Sequence, residues 1–235
     1  MFLFFKKIKN LHNYFLPKNI LSKWGFVFFW EYGFLRFLFF FIFSGLKKYK
    51  NIQESTKRVN YSKKSFFQGN IPVYRPDYRI FYPFFLLNSI PEIKKDTILI
   101  LGPRYETEIL LAKAFNFKTI NALDNFSYSP LIEVGDIHKL PYEDEKFDNI
   151  ICGYTFSYST SPLLFANEIG LVLKNNGILI IAIQRIEVTN LDTVDGTLAG
   201  NNRIQSKKDF DNFFSNMENF CYIQTANHIL IGYKK

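Results

Sequence analysis

An open, doubly wound α/β sheet is the fold class that this 235-residue sequence predicts. From Asp96 onward, apolar runs of strand length alternate with amphipathic runs of helix length, as parallel strands and their helical crossovers do. Gly102 and Asp124 each fall where such a run ends, and the carboxyl ends of parallel strands are where open α/β sheets bind ligands. Finally, two strand-like runs joined across Ala226-Asn227-His228 close the chain and suggest an antiparallel end to the sheet.

Taken in order, residues 1–65 are chemically distinct and form a basic, aromatic extension that ends in a linker, ahead of a main domain at 66–235. The extension has thirteen Lys/Arg against two Asp/Glu, a balance of +11, and thirteen phenylalanines and both tryptophans lie before residue 47. Met1-Phe2-Leu3-Phe4-Phe5 precedes Lys6 and Lys7, the reverse of the charge-first order of a secretory signal. Trp24 to Leu46 is long enough for a helix that spans a bilayer, yet Glu31 and Arg36 interrupt it, each at a cost of at least ~2.5 kcal/mol near a bilayer centre. Three readings stand. The helix packs on the main domain or a second subunit, it lies in the cytoplasmic leaflet, or it spans the membrane. In the second, Trp24 and Trp30 sit at the interface, with Lys47, Lys48, Lys50, Lys57, Arg58, Lys63 and Lys64 on anionic headgroups.

Residues 51–70 are polar and read as the linker. Pro72 to Pro83, dense in aromatics, arginine and proline, reads as an ordered irregular segment, because proline breaks both helix and sheet. Strands are predicted at 97–101, 119–123, 149–152, 178–183, 222–225 and 229–233, and helices at 106–115, 162–173 and 207–219, the last capped by Ser206. Asn125 to Pro130 leaves no room for a helix between the second and third strands of the sheet.

The remaining 170 residues hold sixteen Lys/Arg and nineteen Asp/Glu, so the main domain has no basic footprint for a nucleic-acid backbone. Cys152 and Cys221 are too few for a disulfide framework and read as buried hydrophobes in a reducing cytoplasm. His12, His138 and His228 lack metal-ligand spacing, so no metal site is predicted.

Four stretches could carry chemistry. In Leu101-Gly102-Pro103-Arg104 a buried strand meets a glycine just before a helix, so bare backbone and free N–H groups can approach a cofactor. Asp124 lies 22 residues after Gly102 at the end of the second strand. There a carboxylate can accept both hydroxyls of a ribose, or simply order a turn. Asp136-Ile137 begins the acidic loop before the strand at 149–152. Asp136 either contacts a ligand or orders its own turn. Gly153-Tyr154-Thr155-Phe156-Ser157-Tyr158-Ser159 follows that strand, placing Tyr154 and Tyr158 at the crevice with His138 near enough to act as a base or to bond backbone. Arg75 and Arg79 could meet an anionic acceptor, and Asp192 to Asn202 could form a lid.

The stretch Gly135 to Cys152, followed by a helix and by Asn176-Gly177-Ile178-Leu179-Ile180-Ile181, resembles the second half of the class I S-adenosylmethionine-dependent methyltransferase fold. The short Asp124–Asp136 interval, Gly102-Pro103-Arg104, Ser127-Tyr128-Ser129-Pro130 and Gly135-Asp136-x-His138-x-Leu140-Pro141-Tyr142 resemble a bacterial subgroup linked to cell-surface carbohydrate pathways, over about residues 97–184. The resemblance implies a Rossmann-like methyltransferase sheet with an antiparallel C-terminal strand. It also implies S-adenosylmethionine as cofactor, held by Gly102, Pro103, Arg104, Asp124, Asp136 and Ile137. In the family the Gly102 loop passes beneath the methionine part, the acid at Asp136 contacts the adenine amino group and its neighbour packs on the ring. The loop departs from the family in having one glycine where two or three are usual. The expected reaction is O-methylation of a saccharide or other small or lipid-linked acceptor held near His138, Tyr154 and Tyr158, in the cytoplasm or against the inner face of the membrane. No aspartate-proline-proline-tyrosine signature of amino-methylating enzymes occurs. The competing reading is a non-catalytic methyltransferase-like scaffold at the membrane surface. NAD chemistry also places an acid at Asp124 but lacks its glycine fingerprint here.

Overall fold

A computed structural model describes residues 23–45, 47–48, 78–103, 105–184, 206–226 and 228–235. The predicted linker at 51–70, the domain boundary at 65/66, Arg75, Arg104, the 192–202 segment and Asn227 lie outside the described residues, as do the side chains of Trp24, Trp30 and Arg79.

The elements in chain order are α1 (Lys23–Ser44), β1 (Lys47–Lys48), α2 (Tyr78–Ser89), β2 (Thr97–Leu101), α3 (Thr107–Ala114), β3 (Thr119–Asp124), β4 (Phe126–Ser127) and β5 (Glu133–Val134). They continue with β6 (Phe147–Gly153), a 3-10 turn (Thr155–Tyr158), α4 (Pro162–Val172), β7 (Leu173–Gln184), α5 (Lys207–Phe213), β8 (Glu218–Gln224) and β9 (His228–Lys234). Seven strands form one sheet in the order β5-β3-β2-β6-β7-β9-β8. The first five are parallel, and β9 and β8 run antiparallel, as the closing hairpin suggested.

Alternation along the strands divides the core. Ile98, Ile100, Ile151, Ile180 and Leu230 face α2 and α3, whereas Leu99, Leu101, Ile150, Ile181 and Ile231 face α4 and α5. On the second side Phe156 is fully buried, with ring centroids 5.4 Å from Phe165, 5.5 Å from Phe214 and 5.6 Å from Phe213. These rings fix the turn that follows β6. Asp148 is also buried, at the start of β6. It accepts from the Thr97 hydroxyl at 2.6 Å and from Lys174 at 3.0 Å. Burial pushes its pKa up, but the bonds from Thr97 and Lys174 outweigh this and hold the carboxyl below its ordinary range. It therefore fastens the start of β6 to β2. Cys152 is fully buried in β6, and burial pushes its thiol up to about 12, which fits a packing role.

Three local expectations differ from the structure. Tyr78–Ser89 is a helix with Pro83 inside it, where an irregular segment was expected. Proline removes one backbone bond there, but Phe84 and Leu87 are fully buried against the sheet, and that burial prevails over the local penalty. The helix from Lys207 stops at Phe213, since Glu218 and Asn219 join β8 opposite Lys234 and Tyr233. β7 begins at Leu173 opposite Phe147, with the extra residues 174–177 taken up in an irregularity of the ladder. As expected, no helix joins β3 to β5.

The helix α1 packs on the main domain, the first of its three readings. Tyr32 is buried, Arg36 is half-buried, and Phe37, Phe40 and Phe41 pack on Tyr105 and Tyr128. Phe37 meets the Tyr128 ring edge-on at 4.9 Å. Among the described residues, no helix is long and apolar enough to cross a membrane.

Candidate active site

The chain leaves β2 toward β3 and β5 on one side and later returns to β6 and β7 on the other. The topological switch point is therefore between β2 and β6, where an open α/β sheet opens a crevice outside its carboxyl ends. Backbone hydrogen bonds carry the order of the sheet one residue beyond the strands. Gly102 donates to the Leu123 carbonyl at 2.8 Å, Gly135 to Asp124 at 2.9 Å and Tyr154 to Ala182 at 2.7 Å. The loops that hold Gly102, Asp124, Asp136 and Tyr154 are thereby brought to one edge, as the sequence predicted.

At Gly102 the backbone is left-handed, with φ +71°, and Pro103 beyond it is buried. The expected bare surface is covered, because an ideal Cβ at Gly102 would lie 1.6 Å from Thr155 Oγ1. That hydroxyl donates to the Leu101 carbonyl at 3.2 Å. The glycine therefore makes room for the turn after β6, and only the rest of the loop is left to meet a ligand.

Asp124 is half-buried at the end of β3, and its Oδ1 accepts from the Phe126 N–H at 3.3 Å. Ile137 is half-buried against the Leu123 and Leu140 cluster. Asp136 keeps 30% of its side-chain surface, while His138 keeps 12% with both ring nitrogens engaged, Nδ1 at 2.9 Å from Asp136 and Nε2 at 2.7 Å from Ser159. A base role at the acceptor would require one of those links to open. Tyr154 has φ +62°, uncommon for a side chain other than glycine, and its hydroxyl lies 2.8 Å from His228 Nδ1 with the two rings stacked. Tyr158 is half-buried at the end of the 3-10 turn. Ser157 Oγ is buried in that turn without a hydrogen-bond partner among the described residues.

Behind this edge lies a buried polar cluster. Glu106, 1% exposed, precedes α3 and accepts from Arg36 Nε, from Arg36 Nη2 at 2.9 Å and from the Ser129 hydroxyl. Its backbone N–H donates to Tyr128 Oη at 3.1 Å. Burial pulls the Arg36 pKa down, and Glu106 more than reverses it, so the guanidinium stays charged. Lys47 and Lys48 pair in antiparallel register with Ser127 and Phe126. The Ser-Tyr-Ser-Pro motif and the segment after Gly102 thus meet at Glu106 and hold the extension. Among the described residues, no cluster of His, Cys, Asp or Glu could hold a metal ion.

Residues 111–222 match the family model described as a methyltransferase domain. Solved structures share the fold. A 1,6-didemethyltoxoflavin-N1-methyltransferase from Burkholderia thailandensis, with bound 1,6-didemethyltoxoflavin and S-adenosylhomocysteine, aligns at TM-score 0.56 and 10% identity, over 76% of this chain and 86% of that one. A SAM-dependent methyltransferase from Aquifex aeolicus aligns at 0.52 and 16% identity, over 74% and 97%. The cyclase SpnF aligns at 0.52 and 13%, over 66% and 79%, which shows that this fold also serves other chemistry. No curated protein matches the chain. The fold is that of the class I S-adenosylmethionine-dependent methyltransferases, and the chain resembles that class over residues 111–222. S-adenosylmethionine is the cofactor of that class. The residues present fit it. A half-buried carboxylate stands at the end of β3, a partly exposed one follows β5, and a buried hydroxyl in the turn after β6 lacks a partner among the described residues.

Sequence reasoning missed His228, Ser159 and the Arg36–Glu106 pair. In the sequence His228 falls in the link between the last two strands, but an antiparallel last strand necessarily begins at the carboxyl edge of its parallel neighbours, and His228 lies opposite Gln184. That signal was available once the antiparallel end was predicted. The other three depend on contacts between segments far apart in sequence.

Proposed function

We propose that this protein transfers a methyl group to a hydroxyl oxygen of a saccharide or other small or lipid-linked acceptor. One observation carries the reading. The loops of Gly102, Asp124, Asp136 and Tyr154 stand at one carboxyl edge, across the switch point of the sheet. S-adenosylmethionine, when bound, supplies a methyl group activated on a sulfonium. In this reading Asp124 accepts the ribose hydroxyls, Asp136 accepts the adenine amino group, Ile137 packs on the ring, and the loop of Gly102, Pro103 and Arg104 borders the methionine part. Tyr154 and Tyr158 flank the acceptor, and the phenol of Tyr154, set by His228, can orient a hydroxyl in line for attack. His138 contributes through Asp136. The preference for a polar, hydroxylated acceptor follows from these phenols and from the subgroup resemblance.

Calorimetry with S-adenosylmethionine and S-adenosylhomocysteine tests the cofactor site. Micromolar binding is expected, weakened about 100-fold or more in Asp124→Ala, since two charged hydrogen bonds at ~1.5–3 kcal/mol each are lost. A folded protein that binds neither would sink the enzymatic reading and restore the scaffold.

The same proposal places the protein against the inner face of the membrane. Leu35, Leu38, Ile42 and Phe43 leave an exposed apolar face on α1, 63%, 37%, 69% and 74% exposed, within an extension of balance +11. Full-length protein should sediment with vesicles that contain anionic phospholipid and should lose most of that binding when Ile42 and Phe43 are both changed to Ser. Equal recovery of the two proteins would exclude this face from lipid.

A further inference from the structure

Asp136, His138 and Ser159 form a hydrogen-bonded chain that runs from the carboxyl edge of the sheet into the protein. Asp136 Oδ1 lies 2.9 Å from His138 Nδ1 and also accepts the His138 backbone N–H at 2.9 Å. On the far side of the ring, Nε2 lies 2.7 Å from Ser159 Oγ. Ser159 is fully buried, and its Oγ accepts from the Ser161 N–H at 3.2 Å at the entrance to α4. The backbone N–H of Ser159 donates to the Phe156 carbonyl at 3.2 Å, within the turn held by the phenylalanine cluster. The His138 ring also packs edge-on to Phe165 of α4 at 6.2 Å.

Polarity fixes the protons along this chain. An ionised carboxylate only accepts, so Nδ1 of His138 carries the hydrogen. In the neutral ring Nε2 is then the acceptor, and the Ser159 hydroxyl donates to it. Asp136 Oδ1 is thus occupied twice, whereas Oδ2 has no hydrogen-bond partner among the described residues on a side chain still 30% exposed. A carboxylate pinned through one oxygen presents the other in a fixed direction. The pin is anchored at the fully buried Ser159, just ahead of α4, so it does not depend on the rigidity of the Asp136 loop alone.

We propose that His138 and Ser159 are positioning residues that aim Asp136 Oδ2 at the exocyclic amino group of the cofactor's purine. Selection for a 6-amino over a 6-oxo purine is then a property of all three residues. The inference rests on Asp136 as the adenine contact.

The test compares S-adenosylhomocysteine with S-inosylhomocysteine, which carries a 6-oxo group in place of the amino group, by calorimetry on the full chain. The unaltered protein is expected to prefer the adenosyl form by about tenfold or more, the scale of one charged hydrogen bond. Ser159→Ala and His138→Gln should bring that preference to within about twofold, a loss of the same hydrogen bond. His138→Asn, whose amide nitrogen can occupy the place of Nδ1, should keep more of it than His138→Gln. A role in packing alone would weaken both ligands alike and leave the ratio unchanged, which overturns the proposal. An unchanged ratio in Asp136→Asn overturns the adenine reading beneath it, a separate result from failure of Ser159→Ala and His138→Gln alone. Nitrogen NMR on the unaltered chain needs no variant to fold. It should show His138 protonated at Nδ1, and a ring protonated only at Nε2 would reverse the chain and defeat the proposal.

Discussion

Glu106→Ala is expected to lower the unfolding free energy by about 3–5 kcal/mol, the range for removing one partner of a buried ion pair. Glu106 is 1% exposed and Arg36 keeps 13% of its side-chain surface, so the guanidinium left behind would be largely out of water. The Ser129 hydroxyl would lose its acceptor in the same change. Because the pair links α1 to the residues before α3, part of the loss should appear as release of α1. Hydrogen exchange of Phe37 to Phe41 should then rise toward the solvent rate before the sheet unfolds. Chemical denaturation gives the total. The double variant Arg36→Leu, Glu106→Leu should recover much of the loss, since an apolar pair needs no compensating charge. A cost below about 1 kcal/mol for Glu106→Ala would mean that the pair is solvated, as an exposed pair is.

The position of that pair shows what α1 contributes. Arg36 had counted against membrane insertion, and its role is fulfilled by a carboxylate contributed 70 residues later. One face of the helix closes over Tyr105, Tyr128 and Glu106, and the other exposes Leu35, Ile42 and Phe43. A helix whose Arg36 is paired on one face and whose apolar groups are exposed on the other is consistent with the membrane-surface attachment proposed for it and not with burial in a bilayer core.

Much of the fold was legible because its signals are local. The β2 strand is a nearly continuous apolar run with Gly102 at its end, and β6 and β7 each contain such a run, Ile150–Cys152 and Ile178–Ile183. Asp124 could be placed at the carboxyl edge for the same reason, since strand ends can be counted along the chain, whereas Asp136 was marked by its turn and by the family resemblance. Pro83 misled because its local penalty is visible in sequence, whereas the burial of Phe84 and Leu87 that offsets it is not. His138 was recognisable as a crevice residue. That its ring points from Asp136 toward Ser159 depends on a contact across 21 residues, and no periodicity encodes it.

Gly102→Ala should cost about 2–5 kcal/mol, adding the penalty of ~1–2 kcal/mol for a side chain in left-handed backbone to ~1–3 kcal/mol for overpacking. The φ of +71° sets the first term, and the Thr155 side chain, with Oγ1 at 1.6 Å and Cβ at 2.7 Å from an added methyl, sets the second. The two can be separated by denaturation of a variant set. Thr155→Ala alone should cost about 1 kcal/mol for its lost hydrogen bond. In that background Gly102→Ala should be less damaging than in the unaltered chain, though not neutral, because the 2.7 Å contact and the backbone penalty persist. Affinity for S-adenosylhomocysteine should fall alongside stability, since Gly102 is hydrogen-bonded to Leu123, whose neighbour is Asp124, and a displaced loop would carry the proposed ribose contact with it. Equal cost in both backgrounds would assign the whole effect to backbone conformation and would mean that Thr155 yields freely. The one glycine in this loop stands at the position that cannot accept a side chain, where β2, β3 and the turn after β6 converge.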